Sequence, residues 1–313
     1  MSGEPNKTTI VLEPSIEDHD PSLYEGGVDT SLINGWSAVD DAQIDAYRER
    51  GYLIVRRAFD SGQVRAAREE LEAMTHSDDP RCDGIHYEGA IVENLEGEPD
   101  ARDDGPGDRL IGHTLNEIPR VAAETRARHV RKFMGFCAGH PPLAALSDAP
   151  ALTTVLERIV GGPIRTFQEM ALVKPPGGRE KPWHQDHAYF NVPLDTAIVG
   201  VWIALDHVDV DNGCMVVLPG GHAAGPRLHF MRRDYQICDT DIDQTSRDDR
   251  LALPMAPGDL LFFDGKLPHG TPTNRTQGQR WAVQYHYVGK SVRTPEDEDC
   301  RDAFGGEGKG ASC

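Results

Sequence analysis

The densest run of chemistry-bearing side chains is Trp183-His184-Gln185-Asp186-His187-Ala188-Tyr189-Phe190. In an extended strand, side chains two positions apart share a face, so His184 and Asp186 present an imidazole and a carboxylate to one ion. A third donor must come from elsewhere. The natural candidate is His269 in Gly265-Lys266-Leu267-Pro268-His269-Gly270, which follows the apolar segment Leu260 to Phe263 and its turn Ala256-Pro257-Gly258-Asp259. Two histidines and one carboxylate on one side of an ion leave the opposite positions open, the facial arrangement of non-haem Fe(II) oxygenases.

A His-X-Asp triplet alone is a weak signal, because the chain has three: His76-Ser77-Asp78, His184-Gln185-Asp186 and His207-Val208-Asp209. His76 is placed in an acidic loop and His207 at the end of a strand entering the turn Asp211-Asn212-Gly213, so both read as solvated or strand-ending histidines. Arg280 supplies the second half of the signal. It stands eleven positions beyond His269, past the turn Asn274 to Gly278, and opens the alternating segment Arg280-Trp281-Ala282-Val283-Gln284-Tyr285. A guanidinium near such a centre can grip the far carboxylate of a dicarboxylic co-substrate bidentately.

Short β-rich segments carry these residues: Thr166 to Val173, Ala197 to Ala204, Cys214 to Leu218, Asp259 to Phe263 and Arg280 to Val288. Separated by Pro/Gly turns, they predict an all-β core, sandwich or barrel, flanked by helices from the first half. Asp40 or Asp41 caps a helix that turns Ile44 and Tyr47 inward, and Gly51 ends it before the strand Tyr52-Leu53-Ile54-Val55. Ser61 is expected to cap a second helix through Met74, and two more are predicted at about Glu117 to Phe136 and Ala149 to Ile159. The acidic stretch His76 to Asp108 and the segment Ala223 to Leu251 are candidate lids. Residues 1–37 read as a partly ordered extension, 38–295 as one domain, and 296–313 as an acidic, Gly-rich tail expected to fray.

The 313 residues, 38% hydrophobic and 27% charged, suffice for a sizeable core. With 51 Asp+Glu against 32 Lys+Arg, the formal charge of -19 argues against binding nucleic-acid backbones or anionic membranes. Much of that acid falls in the extension, the lid candidates and the tail, where it serves solubility. Six scattered cysteines without a Cys-X-X-Cys pair fit a reducing cytoplasm. Met1 to Pro14 lacks the order of a signal peptide, and the apolar stretch Thr196 to Leu205 is too short to cross a bilayer. No feature specifies an oligomeric state.

Three ordered motifs sharpen this reading. They are Lys174-Pro175-Pro176-Gly177 leading into Trp183-His184-Gln185-Asp186; Asn212-Gly213-Cys214-Met215-Val216-Val217-Leu218-Pro219-Gly220-Gly221-His222; and His269-Gly270-Thr271 through Asn274, Thr276-Gln277-Gly278 and Arg280. From about Phe167 to Val288 the chain resembles the phytanoyl-CoA dioxygenase family of Fe(II)- and 2-oxoglutarate-dependent oxygenases. The resemblance implies a double-stranded β-helix, a jelly-roll or cupin-like barrel, with His184, Asp186 and His269 holding Fe(II) and Arg280 pairing with the distal carboxylate of 2-oxoglutarate. It also implies co-substrate contacts from Thr271, Met170 and Trp202, and from a lysine of the helical half placed at Lys132. Trp183 and Tyr189-Phe190 are expected to pack the barrel, and His187, His222 and His286 to be hydrogen-bonded structural histidines.

The reaction so implied consumes O2 and 2-oxoglutarate, releases succinate and CO2, and hydroxylates an unactivated C–H bond. Asp186 favours hydroxylation over halogenation, since halogenating relatives carry a small residue in place of the carboxylate. A small-molecule metabolite is the expected substrate, because the acidic lids disfavour an anionic CoA thioester unless Arg227, Arg232 and Arg233 compensate. The rivals are a hydroxylase of acyl-CoA thioesters, a metabolite-binding barrel without turnover, and a cupin-like metalloenzyme that needs no co-substrate.

Overall fold

The computed structural model describes residues 8–13, 19–31, 33–77, 79–88, 121–232, 235–237, 239–243, 245–296 and 299–307. Two sheets face each other. The larger contains nine strands in the order Thr9–Glu13, Gly84–Glu88, Val130–Met134, Ile164–Lys174, Arg280–Gly289, Val199–Ala204, Leu260–Asp264, Tyr52–Arg56 and Ile33–Asn34. The smaller contains five: Gly27–Val28, Leu251–Leu253, Met215–Val217, His269–Thr271 and Lys181–His184. The alternation seen in the sequence sets which side chain faces where. Trp281, Val283, Tyr285 and Tyr287 of the central strand join an outer core with the helices, whereas Ala282 joins Trp202, Trp183, Val217 and Phe263 between the sheets.

Helices cover the outer face of the large sheet. Asp40 caps Asp41–Arg50 by accepting from the Gln43 N–H, and Gly51 ends that helix at φ 81°, a left-handed conformation that suits glycine. Ile44 and Tyr47 are buried, as the spacing predicts. The helix Ser61–His76 starts one residue earlier than expected: its cap is Asp60, in a reciprocal capping box with Gln63. It buries Val64, Ala67, Leu71 and Met74 at helical spacing, and it makes His76 a helix-terminal residue rather than a loop residue. Pro150–Val160 matches the fourth predicted helix, closed by Gly161 at φ 82°.

Three expectations change. The helix predicted at Glu117 to Phe136 is a short helix, Ala123–His129, followed by the strand Val130–Met134, while positions 117–120 lie outside the described residues. Lys132 is therefore a strand residue, paired with Leu172, because tertiary pairing between Gly84–Glu88 and Ile164–Lys174 overrides local preference. Of the candidate lid His76 to Asp108, the part Gly84–Glu88 is an interior strand of the large sheet, and 89–108 lie outside the described residues.

The chain ends also contribute more than expected. Thr9–Glu13 and Ile33–Asn34 form the two edges of the large sheet, and Gly27–Val28 an edge of the small one. In the tail, Cys300–Phe304 forms a helical turn with Phe304 fully buried. Edge pairing uses the main chain alone, so it leaves little trace in side-chain pattern.

Candidate metal centre

The small sheet brings the three candidate ligands together by strand register. His269 stands directly opposite His184 across the pair of strands His269–Thr271 and Lys181–His184, with ring centroids 4.2 Å apart. The strand stops at His184, but Gln185 keeps extended dihedrals (φ -119°, ψ 126°), so Asp186 still emerges on the same side as it enters the turn Asp186–Tyr189. Asp186 Oδ1 lies 3.2 Å from His184 Nε2 and 3.6 Å from His269 Nε2. Among the described residues these three form the one cluster whose donor atoms all lie within 4.8 Å of each other, and all are buried.

The donor set fits a cation. His184 Nδ1 donates to the Pro182 carbonyl at 2.7 Å and His269 Nδ1 to the Leu267 carbonyl at 2.9 Å, which turns both Nε2 lone pairs inward. Burial and the neighbouring His184 push the His269 pKa down to about 4, keeping that ring neutral near pH 7. Burial alone would raise the Asp186 pKa, yet His269, His286 and its hydrogen bonds hold it well below the usual carboxylate range. Two imidazole lone pairs thus converge on a carboxylate oxygen, which is repulsive until a positive ion sits between them.

The other two His-X-Asp triplets stay outside. His207 is exposed and lies 3.4 Å from Asp209, and His76 is exposed at its helix end.

Gln185, between the ligands, was not singled out by sequence reasoning. Its amide donates to the Gly225 carbonyl at 2.9 Å and the Lys266 carbonyl at 2.6 Å, and its oxygen accepts from Arg227 N–H at 2.8 Å. Its backbone N–H donates to His229 Nε2 at 2.9 Å. One residue therefore ties the candidate lid Ala223 to Leu251 and the turn before His269 to the ligand segment. That turn is closed by Leu267 N–H, which donates to the Asp264 carbonyl at 2.8 Å.

The large sheet supplies the facing wall. Trp202, Gln284 and Met170 stand in one cross-strand row, and Ala204, Ala282, Leu172 and Lys132 in the next, so Met170, Trp202 and Lys132 share the inward face with Gln284. Arg280, opposite Lys174, is 3% exposed; its Nη2 makes a long 3.4 Å contact to the Gly213 carbonyl, while Nε and Nη1 are buried without a partner. Burial lowers its pKa to about 10, so it stays charged. Buried, unpaired guanidinium N–H groups are costly unless an anion arrives. Its carbon lies 5.4 Å from the Trp202 ring centroid.

Lys174 is a second buried basic side chain, quoted in a sequence motif but given no role there. Its Nζ donates to Thr271 Oγ1 at 2.8 Å, the Thr271 carbonyl at 3.2 Å and the Pro272 carbonyl at 2.6 Å. Burial, with Arg280 nearby, lowers its pKa well below the ordinary lysine value. Gly213 packs against this bracket at φ 85°, where a Cβ would lie 2.5 Å from the Pro272 oxygen.

Of the other residues noted, Trp183 is buried and donates to the Leu23 carbonyl at 3.0 Å. His222 donates to the Arg48 carbonyl at 3.0 Å. His286 bonds Asp186 at 2.7 Å.

Phytanoyl-CoA dioxygenase (peroxisomal) of Rattus norvegicus is 35% identical over 304 residues, covering 91% of this chain and 78% of its own. Among solved structures, EvdO2 from Micromonospora carbonacea var. aurantiaca complexed with 2-oxoglutarate aligns at TM-score 0.57 and 22% identity, over 85% of this chain and 97% of that one. The epimerase SnoN in complex with Fe3+, alpha ketoglutarate and nogalamycin RO aligns at TM-score 0.53 and 18% identity, over 84% and 88%. The model of the phytanoyl-CoA dioxygenase (PhyH) family matches residues 47–282, and the chain belongs to that family.

Proposed function

We propose that the protein is an Fe(II)- and 2-oxoglutarate-dependent dioxygenase that hydroxylates an unactivated C–H bond of a small-molecule metabolite. The two facing sheets are assigned to a double-stranded β-helix. The observation that carries the proposal is a pair of unmet demands on the facing inner sides of the two sheets: a carboxylate and two imidazole lone pairs that need a cation, and a buried guanidinium with two unpartnered nitrogens that needs an anion. Fe(II), when bound, supplies the oxidising chemistry that couples O2 and the conversion of 2-oxoglutarate to succinate and CO2 with substrate hydroxylation.

The chain's own part is binding, orientation and exclusion of water. His184 and His269 offer Nε2, with each Nδ1 held by a backbone carbonyl, and Asp186 offers Oδ1. Arg280 binds the distal carboxylate of 2-oxoglutarate through its planar guanidinium, whose Nε and Nη1 have no partner in the protein. Thr271 adds a third donor: Lys174 occupies a lone pair of its hydroxyl and leaves the O–H proton for the guest. Met170 and Trp202 wall the pocket, and Lys132 adds positive charge from the adjoining strand.

A second reading, an acyl-CoA thioester as substrate, draws on the rat relative's name. A reducing cytoplasmic setting suits thiols such as Cys82, Cys137 and Cys214, which form no disulfide among the described residues; no helix among the described residues is long and apolar enough to cross a membrane.

Anaerobic addition of Fe(II) and 2-oxoglutarate should give the weak visible charge-transfer band of the chelate, and air should then yield succinate. Correctly folded protein that gives neither refutes the oxygenase reading. Stimulation of succinate release across a panel of metabolites and acyl-CoA thioesters then separates the two substrate classes.

A further inference from the structure

We infer that His286 is a positioning residue that dictates how Asp186 presents its carboxylate to the metal. The inference rests on the metal-centre reading above and concerns the oxygen that faces away from it. Asp186 Oδ1 points at the two ligand imidazoles, while Oδ2 lies 2.7 Å from His286 Nε2 and 3.2 Å from Gln284 Nε2. A carboxylate oxygen only accepts, so Nε2 of His286 carries a proton and donates it. With Oδ2 held by two donors, the carboxylate reaches the ion through Oδ1 alone. Single-oxygen binding keeps free the position that a second carboxylate oxygen would occupy, and the reaction needs every open position for co-substrate and O2.

The surroundings of His286 support this role. The ring is fully buried, and its neighbours are the rings of Phe190, Phe167 and Phe263, with centroids 5.2, 5.9 and 6.2 Å away. Its Nδ1 has no partner. Gly200, opposite His286 in register, makes room for this cage, since a Cβ there would lie 2.2 Å from the Phe263 ring. An imidazole enclosed by three phenylalanines is expensive to bury, and a leucine or phenylalanine would pack there at lower cost. What a hydrocarbon cannot supply is the donor to Asp186.

The test compares wild type with His286→Leu and His286→Gln, using Co(II) as a spectroscopic probe of the apoprotein. The glutamine keeps an N–H donor of similar reach; the leucine keeps only volume. We expect His286→Leu to bind Co(II) about 10- to 100-fold more weakly, the range typical of lost outer-shell partners. Its d–d absorption should also shift, with thermal stability retained and most of the affinity regained in His286→Gln. His286→Phe, which suits the aromatic cage, serves the same comparison should the leucine variant not fold. Wild-type affinity and spectrum in the donor-less variants would overturn the inference, as would equal losses in the leucine and glutamine variants. Failure of wild type itself to bind Co(II) would instead overturn the metal-centre reading, and the inference with it.

Discussion

The two faces of the strand Arg280–Gly289 are buried to the same degree and do opposite things. On the outer face, Trp281, Val283, Tyr285 and Tyr287 pack against the helices, and the two tyrosine hydroxyls donate to the Leu143 and Ser147 carbonyls at 2.8 Å each. On the inner face, Arg280 holds unpartnered donors, and Gln284 and His286 spend theirs on a single carboxylate oxygen. Burial therefore does not distinguish core from site; the state of the polar groups does. On the outer face the Trp281 indole N–H is left without a partner but carries no charge, whereas on the inner face it is a cation, Arg280, that keeps two such groups.

Substitutions on either face should separate along that line. The largest effect is expected from Asp186→Ala, which should bring succinate-coupled turnover to background while circular dichroism and melting temperature stay near wild type; surviving activity would mean that the ligand is another carboxylate. On the opposite face, Trp281→Ala should cost about 3–5 kcal/mol in denaturant unfolding. The fraction that remains folded should bind Co(II) normally, and an altered affinity would show that the two faces are coupled. Arg280→Ala should raise the 2-oxoglutarate requirement about 10- to 100-fold, the value of charge-assisted hydrogen bonds of about 1.5–3 kcal/mol. Arg280→Lys should recover only part of that loss, because an ammonium lacks the fork. Titration of the chelate band measures both. The smallest effect should come from Asp60→Ala, about 1 kcal/mol of stability for a lost helix cap, with no change in co-substrate binding.

The strands of the second half were legible because their side chains alternate between the two faces, and the cluster of candidate ligands His184, Asp186 and His269 was legible because its residues fall in ordered motifs. The strand predicted at Arg280 to Val288 spans Arg280–Gly289, and that at Thr166 to Val173 spans Ile164–Lys174. What escaped depends on distant partners. The contact of His286 with Asp186 joins residues 100 positions apart, and Lys174 meets Thr271 across 97. Nothing local distinguishes such a histidine from a structural one. Val130–Met134 was misread for a related reason: a short segment of mixed polarity takes its form from the strands on either side.

Phe304 lies beyond residues 47–282 that the family model matches, yet it is fully buried beside the candidate site. Its ring sits 5.7 Å from both His187 and His229, and it packs in one cluster with Met170 and Tyr189. The segment is tied down by Cys300 N–H, which donates to the Asn191 side chain at 2.9 Å, and by Glu307, which accepts from Met231 N–H at 2.8 Å. An expression product trimmed to the shared segment would keep the three candidate ligands, but would cut the strand Arg280–Gly289 after Ala282 and lose Gln284, His286 and Phe304. The working enzyme is therefore longer than the part by which its family is recognised, and purification tags are better kept away from its C-terminal end.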